Sequence, residues 1–348
     1  MSQTMGAMGA MGASGAMGAA GAMGAMGATL PESAEWPPLF VDALNKTRGG
    51  IVDPLDLTVH VPPPSDLDNA AAMARWAPGV RQHVALFELI SALSFETSGR
   101  QSTLQHRAPD GTLTDIVTLG LPSKANWTAV WTGQIAKVMS WAELREDRAS
   151  EILTQLTPQY MFWNAIAHLD LQMRPKTLQL IELALALASF VETRFKHAMA
   201  CPRPIDFSPE IQPIIPTPAH GSFPSGHATE AFMVAHLLTK LLPHGARLAD
   251  QLQRLAARTS INRTVAGVHF PVDSAAGQAL GQSLGEYFTG ACTGPKWKWH
   301  ARVLLATDVD FVGDTLPPAG SEVVISRPSG YPKSVVRWSW AAAKAEWS

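Results

Sequence analysis

Residues 175–204 read PKTLQLIELALALASFVETRFKHAMACPRP. Pro175 suits the first position of a helix, where its fixed φ is already helical and its missing N–H is not needed. Leu178, Leu180, Ile181, Leu183, Leu185, Leu187 and Phe190 then carry one long helix to about Lys196. The apolar run from Leu178 to Phe190 contains Glu182 and is shorter than the roughly 18 residues that cross a bilayer. The stretch predicts a buried helix of a soluble bundle. It also ends in a pattern, Lys196-x6-Arg203-Pro204, that places two cations beyond the apolar face.

Working outward, further helical periodicity surrounds this segment. Upstream, Val84, Leu86, Phe87, Leu89, Ile90, Leu93 and Phe95 fit one amphipathic helix. Residues 127–142, 143–156 and 160–171 read as three more. Downstream, helices are expected over 228–242, which Pro243 stops, over 246–260, and from Pro271 to about Phe288. Alternation is scarce before the tail, where 303–305 and 323–325 allow short strands. The prediction is an all-α bundle with a minor C-terminal extension of irregular or short-strand structure. Three regions follow: a low-complexity tail over 1–30, a helical catalytic domain over 31–292 and the extension over 293–348.

Bulk composition excludes several classes. Net charge is −2, and only 16% of residues are charged, so no broad basic face exists for nucleic acid. Two cysteines, Cys201 and Cys292, do not make a disulfide framework and read as free thiols. The N-terminus lacks a basic region and a compact apolar core, so no secretory signal is recognised and a cytoplasmic location is compatible. Residues 5–28 are Met-Gly-Ala-type triplets without proline, which reads as a disordered tail rather than a collagen helix. Asp308, Asp310 and Asp314 lack the later Glu of a calcium loop, so no metal is assigned there. Tryptophans at 297, 299, 338, 340 and 347 are expected to cap the bundle or pack across a homodimer.

Two more motifs follow the first in order. Pro224-Ser225-Gly226-His227 lies just before an apolar helical run. A helix N-terminus offers unpaired N–H groups and a partial positive charge, and Gly226 lets an anion approach. His227 projects from the first turn, placed to protonate a leaving oxygen. Arg263-x5-His269-x3-Asp273 supplies a guanidinium fork and an imidazole with a carboxylate four residues on. Asp273 can fix the tautomer of His269 and leave its other nitrogen free as nucleophile or metal ligand. Each pattern alone has a bland explanation as a helix cap or a C-terminal cation. Together they collect three cations, two imidazoles and one carboxylate, the inventory for holding a tetrahedral oxyanion and reacting with it.

Over about residues 180–290 these motifs resemble the type 2 phosphatidic acid phosphatase (PAP2) and vanadium haloperoxidase superfamily. The resemblance implies a helical bundle with the site at one end. It implies that Lys196, Arg203 and Arg263 neutralise the oxyanion and that Ser225 and Gly226 contact its oxygens. His227 is then the acid or apical partner, His269 the phosphate nucleophile or vanadium ligand, and Asp273 its orienting group. The family usually has Ser before the third-motif Arg; here Asn262 stands there.

The haloperoxidase branch is the closer resemblance. The chain carries no membrane span or signal, and Thr217–Ala228 and Gly267–Gly277 resemble the haloperoxidase versions of the motifs. His220 falls where bromoperoxidases have a His, which implies a halide-side role and a preference for bromide. The function expected is vanadate-dependent oxidation of halide by hydrogen peroxide, with vanadate bound by His269. Thr193, where chloroperoxidases carry Trp, weighs against it. The alternative is a soluble PAP2-type acid phosphatase that hydrolyses phosphate monoesters through a phosphohistidine at His269 and needs no cofactor.

Overall fold

The computed structural model describes residues 38–52, 63–157, 159–293, 296–313, 319–326 and 334–348. The low-complexity segment 1–30, Asp314 and parts of the proline-rich stretch lie outside the described residues. Helices α1 (Pro38–Ile51), α2 (Ala70–Arg75) and α3 (Pro78–Ser91) precede strands β1 (Leu93–Ser98), β2 (Gln101–Arg107) and β3 (Leu113–Gly120). Then come α4 (Trp127–Trp141), α5 (Arg145–Thr154), α6 (Tyr160–Ala167), α7 (Pro175–Met199), α8 (Pro204–Phe207), α9 (Gly226–Leu241), α10 (Gly245–Val265) and α11 (Pro271–Cys292). Strands β4 (Lys296–His300), β5 (Arg302–Leu305) and β6 (Glu322–Ser326) and helix α12 (Val335–Ala345) follow.

The all-α expectation is therefore wrong. The described residues hold six strands in two sheets, one ordered β1-β2-β3-β5 and the other pairing β4 with β6. The helix expected through Leu93 and Phe95 ends at Ser91. From Leu93 the chain alternates apolar and polar residues in LSFETS, a period of two that suits a pleated strand better than a helix. Gly99, at φ +59, makes the turn, and Ser98 pairs with Gln101. Gly111, at φ +86, turns the chain again before β3, and the Thr103 and Thr118 hydroxyls meet across the strands at 2.9 Å. The expected tail strands sit in β5 and β6, and β5 runs parallel to β3 with Val117 opposite Arg302. The sheet buries Leu104, Ile116, Val117 and Leu119.

At the centre, α9 and α11 lie unusually close. Gly277, Gly281 and Gly285 form an i, i+4 row on α11 facing α9. A Cβ at Gly277 would lie 2.6 Å from both the Ala228 Cβ and the Ser225 carbonyl oxygen, and one at Gly285 would lie 2.8 Å from the His236 Cβ. Small residues at this spacing allow backbone-to-backbone approach that any side chain would block. The approach brings the starts of the two helices together, where Ser225 N donates to the Asp273 carbonyl at 2.9 Å.

Helix α7 is the buried helix the sequence predicts, with Leu180, Ile181, Ala184, Leu187, Ala188 and Phe195 fully enclosed. No acidic residue occupies its first turn, and its own N-cap, Arg174, makes no side-chain cap. The cap comes from the other end of the chain. Glu346, just past α12, accepts from Lys176 N at 2.6 Å, Thr177 N at 2.8 Å and Thr177 Oγ1 at 2.7 Å. A carboxylate there satisfies unpaired N–H groups and opposes the helix dipole.

Candidate oxyanion site

One end of the bundle gathers the last turns of α7 and α10 and the first turns of α9 and α11. Lys196 lies in the last turn of α7, Arg263 in that of α10, Ser225 is the N-cap of α9, and Asp273 sits in the first turn of α11. Lys196, Arg203, Ser225, Arg263, His269 and Asp273 are all at most 4% exposed. Such burial of charge is costly unless each group has partners or a ligand.

Arg203 staples the motif loops together. Its Nε donates to the His220 carbonyl at 3.0 Å, Nη1 to the Val268 carbonyl at 2.8 Å and Nη2 to the Gly221 carbonyl at 3.2 Å. Nη1 also lies 3.1 Å from His269 Nε2, and Nη2 lies 3.1 Å from His220 Nδ1. A guanidinium only donates, so His269 Nε2 is the accepting, unprotonated nitrogen. His269 Nδ1 then donates to Asp273 Oδ2 at 3.1 Å, an oxygen that also accepts from Phe270 N at 2.9 Å. The tautomer is thus set from both sides.

Electrostatics agree with a neutral imidazole. Burial holds His269 well below the usual histidine range, and the charges of Arg203 and Lys196 push it further down. Burial pushes the Asp273 carboxyl up to about 7, against the pull of the Phe270 N–H and of Arg203 and Lys196.

Arg263 is held on one side only. Its Nη2 donates to the Ile152 carbonyl at 3.2 Å and to Gln155 Oε1 at 3.0 Å. Its Nε and Nη1 are buried without a hydrogen-bond partner among the described residues, and so is Ser225 Oγ. Unsatisfied buried donors at a helix N-terminus are what a bound oxyanion would complete. His227 Nε2 donates to the Gln155 carbonyl at 3.0 Å. Burial and then the charge of Arg263 push His227 down to about 3.

Two residues here carry no motif signal. Gln155, fully buried at the end of α5, accepts from Arg263 and, at 3.0 Å, from Asn262 Nδ2, while its carbonyl takes the His227 hydrogen bond. The Asn262 side chain also accepts from Arg148 Nη1 at 3.2 Å, a two-sided role that a serine is too short to fill. The second residue is Glu192, one turn before Lys196, whose Oε1 accepts from Lys196 Nζ at 3.2 Å. A Cβ on Gly226 would collide with Glu192 Oε1 and lie 2.9 Å from its Cδ and Oε2. The open side of Gly226 is therefore filled by this carboxylate.

His220 is exposed and touches the site through Arg203. Thr193 points away, into a cavity of about 990 Å³ on the outer face of α7 with Phe95, Phe190 and Arg194. Among the described residues no group of His, Cys, Asp or Glu is arranged to hold a metal ion, and Asp308 instead pairs with Lys137 at 2.6 Å. Cys201 and Cys292 are both buried and form no disulfide. No described helix is long and apolar enough to cross a membrane.

Residues 178–289 match the family model of the PAP2 superfamily. Among solved structures, the chain is similar to the first transmembrane PAP2 type phosphatidylglycerolphosphate phosphatase from Bacillus subtilis. That similarity is 22% identity over 45% of this chain and 83% of that one, with a TM-score of 0.36. No curated protein matches the chain.

Proposed function

We propose, since residues 178–289 match the family model of the PAP2 superfamily, that the protein hydrolyses phosphate monoesters through a phosphohistidine on His269. The observation that carries this reading is the His269 tautomer, with Nδ1–H on Asp273 and the Nε2 lone pair facing a cationic, donor-rich space. Nε2 attacks phosphorus as the P–O bond to the alcohol breaks. Arg263, Lys196, Arg203, Ser225 Oγ and the start of α9 hold the phosphoryl oxygens. Asp273 stabilises the imidazolium that forms. His227 is neutral in the free protein; a bound phosphoryl group raises its proton affinity, so it takes up a proton from solvent at Nδ1 and passes it to the leaving alkoxide. Water then attacks phosphorus, His227 takes its proton, and the N–P bond breaks to release phosphate.

Glu192 supports hydrolysis over a resident cofactor. It shares Lys196, which lowers the net positive charge and suits an anion that must leave at every turnover. The second reading is halide oxidation. The same donors fit vanadate, with His269 Nε2 as its ligand; once bound, vanadate would supply peroxide activation. His220 beside Arg203 is the observation favouring it.

A preparation split in two separates them. Release of phosphate from a chromogenic monoester, inhibited by vanadate and without bromination in peroxide and bromide, is expected. Vanadate-dependent bromination without phosphate release would overturn the hydrolase reading.

Gln155 gives an independent check. Gln155→Leu leaves Arg263 and Asn262 without their shared acceptor, so inorganic phosphate should bind about tenfold more weakly. Titration calorimetry measures it, and unchanged affinity with only a lower melting temperature would reduce Gln155 to a packing role.

A further inference from the structure

A carboxylate is the last group expected inside an anion site, yet Glu192 is lodged in this one. Its side chain is 10% exposed, and its Oε1 is engaged by Lys196. Its Oε2 is buried with no hydrogen-bond partner among the described residues. Its carboxyl group lies against Gly226, the first residue of α9. Lys196 and Gly226 are two of the groups assigned above to the oxyanion, so the carboxylate and a bound oxyanion are neighbours across them. Two anions in contact in a water-poor pocket repel strongly unless a proton lies between them.

We propose, resting on the phosphate reading of the site, that Glu192 is a specificity-determining residue. Its free oxygen accepts a hydrogen bond from a protonated oxygen of the bound group, so the site selects phosphate and phosphate monoesters over sulfate and phosphodiesters. Phosphate and its monoesters have a second pKa of about 6 and carry or readily share a proton near neutrality. Sulfate and diesters have no such proton to give.

The surroundings favour a shared proton. The charged groups acting on Glu192 are Lys196 on its own helix, Arg203 in the following loop and Glu230 from α9. His227 from α9, Arg263 from α10, His269 just before α11 and Asp273 in its first turn belong to the same titratable set. Burial raises the Glu192 carboxyl against the pull of Lys196 and Arg203, and burial together with the charge of Glu192 pushes Glu230 up to about 8. The charge of Glu192 raises the proton affinity of Glu230, so the proton of this pair rests on Glu230 and Glu192 is left as the acceptor.

The test is binding, independent of turnover. Inorganic phosphate, sulfate and dimethyl phosphate are titrated calorimetrically into the full chain near neutral pH at matched ionic strength. Phosphate should bind at least about tenfold more tightly than the other two. In Glu192→Gln, whose amide can donate to sulfate, the sulfate gap should narrow to about threefold. Equal binding of sulfate and phosphate by the unaltered protein, no phosphate binding, or an unchanged gap in a folded Glu192→Gln variant overturns the proposal. If circular dichroism shows that the variant is unfolded, the comparison in the unaltered protein decides. Selective phosphate binding without monoester hydrolysis would remove the hydrolase reading alone. Hydrolysis that sulfate inhibits as well as phosphate would remove this inference alone.

Discussion

His269→Ala is expected to lower phosphate monoester hydrolysis by at least about 10⁴-fold. The substitution removes the imidazole whose Nε2 lone pair faces Arg203 and whose Nδ1–H is held by Asp273. The donors that hold the oxyanion come from α7, α9, α10 and Arg203 at the start of α8, and the imidazole supplies none of them. Phosphate should therefore still bind within a few-fold, about the spread expected for losing one neutral contact. The loss then falls on kcat rather than on affinity. Rapid quench with a labelled monoester should trap an acid-labile, base-stable phosphoprotein in the unaltered chain and none in the variant. Retention of more than about one hundredth of the activity would place the nucleophile elsewhere.

Asp273→Asn is expected to lower kcat by about 10²- to 10³-fold. The reason is specific to this geometry. A single oxygen, Oδ2, receives both the Phe270 N–H and the His269 N–H, while Oδ1 is buried without a hydrogen-bond partner among the described residues. An asparagine can keep both bonds by placing its oxygen at Oδ2, so the His269 tautomer survives. What disappears is the negative charge opposite the imidazolium that phosphoryl transfer creates. Asp273→Ala removes tautomer control as well and should be worse. Nitrogen NMR of His269 checks the distinction: Nδ1 stays protonated in the asparagine variant. A kcat within about threefold of the unaltered protein would show that the carboxylate only positions the ring.

The three motifs were legible because each spans a helix terminus, where local spacing fixes direction. Lys196, Ser225, Arg263 and Asp273 each sit within a turn of a helix end, so their convergence needs only that four ends meet. The first sheet was harder to read. Phe87, Ile90, Leu93 and Phe95 continue a helical stripe on paper, and only the two-residue alternation after Ala92 with Gly99 and Gly111 marks the strands. A helical stripe shows in local spacing, whereas a strand's energy lies in partners such as Val117 and Arg302, far apart in sequence. Gln155 and Glu192 were unreadable for a related reason. Gln155 meets Asn262 and Arg263 across more than a hundred residues. Glu192 reads as one more polar position on a long helix until Gly226 is seen to make room for it.

The cap on α7 bears on how the chain reaches its native state. The helix that ends in Lys196 begins at Pro175, and the carboxylate that fixes this beginning is Glu346. During synthesis α7 emerges long before its cap does. Local sequence can start the helix but not secure its first turn, so the final contacts are among the most non-local in the molecule. Such late-forming contacts act on the unfolding rate rather than the folding rate. Removing the Glu346 carboxylate is therefore expected to shorten the lifetime of the assembled site, although that carboxylate caps the opposite end of α7 from Lys196.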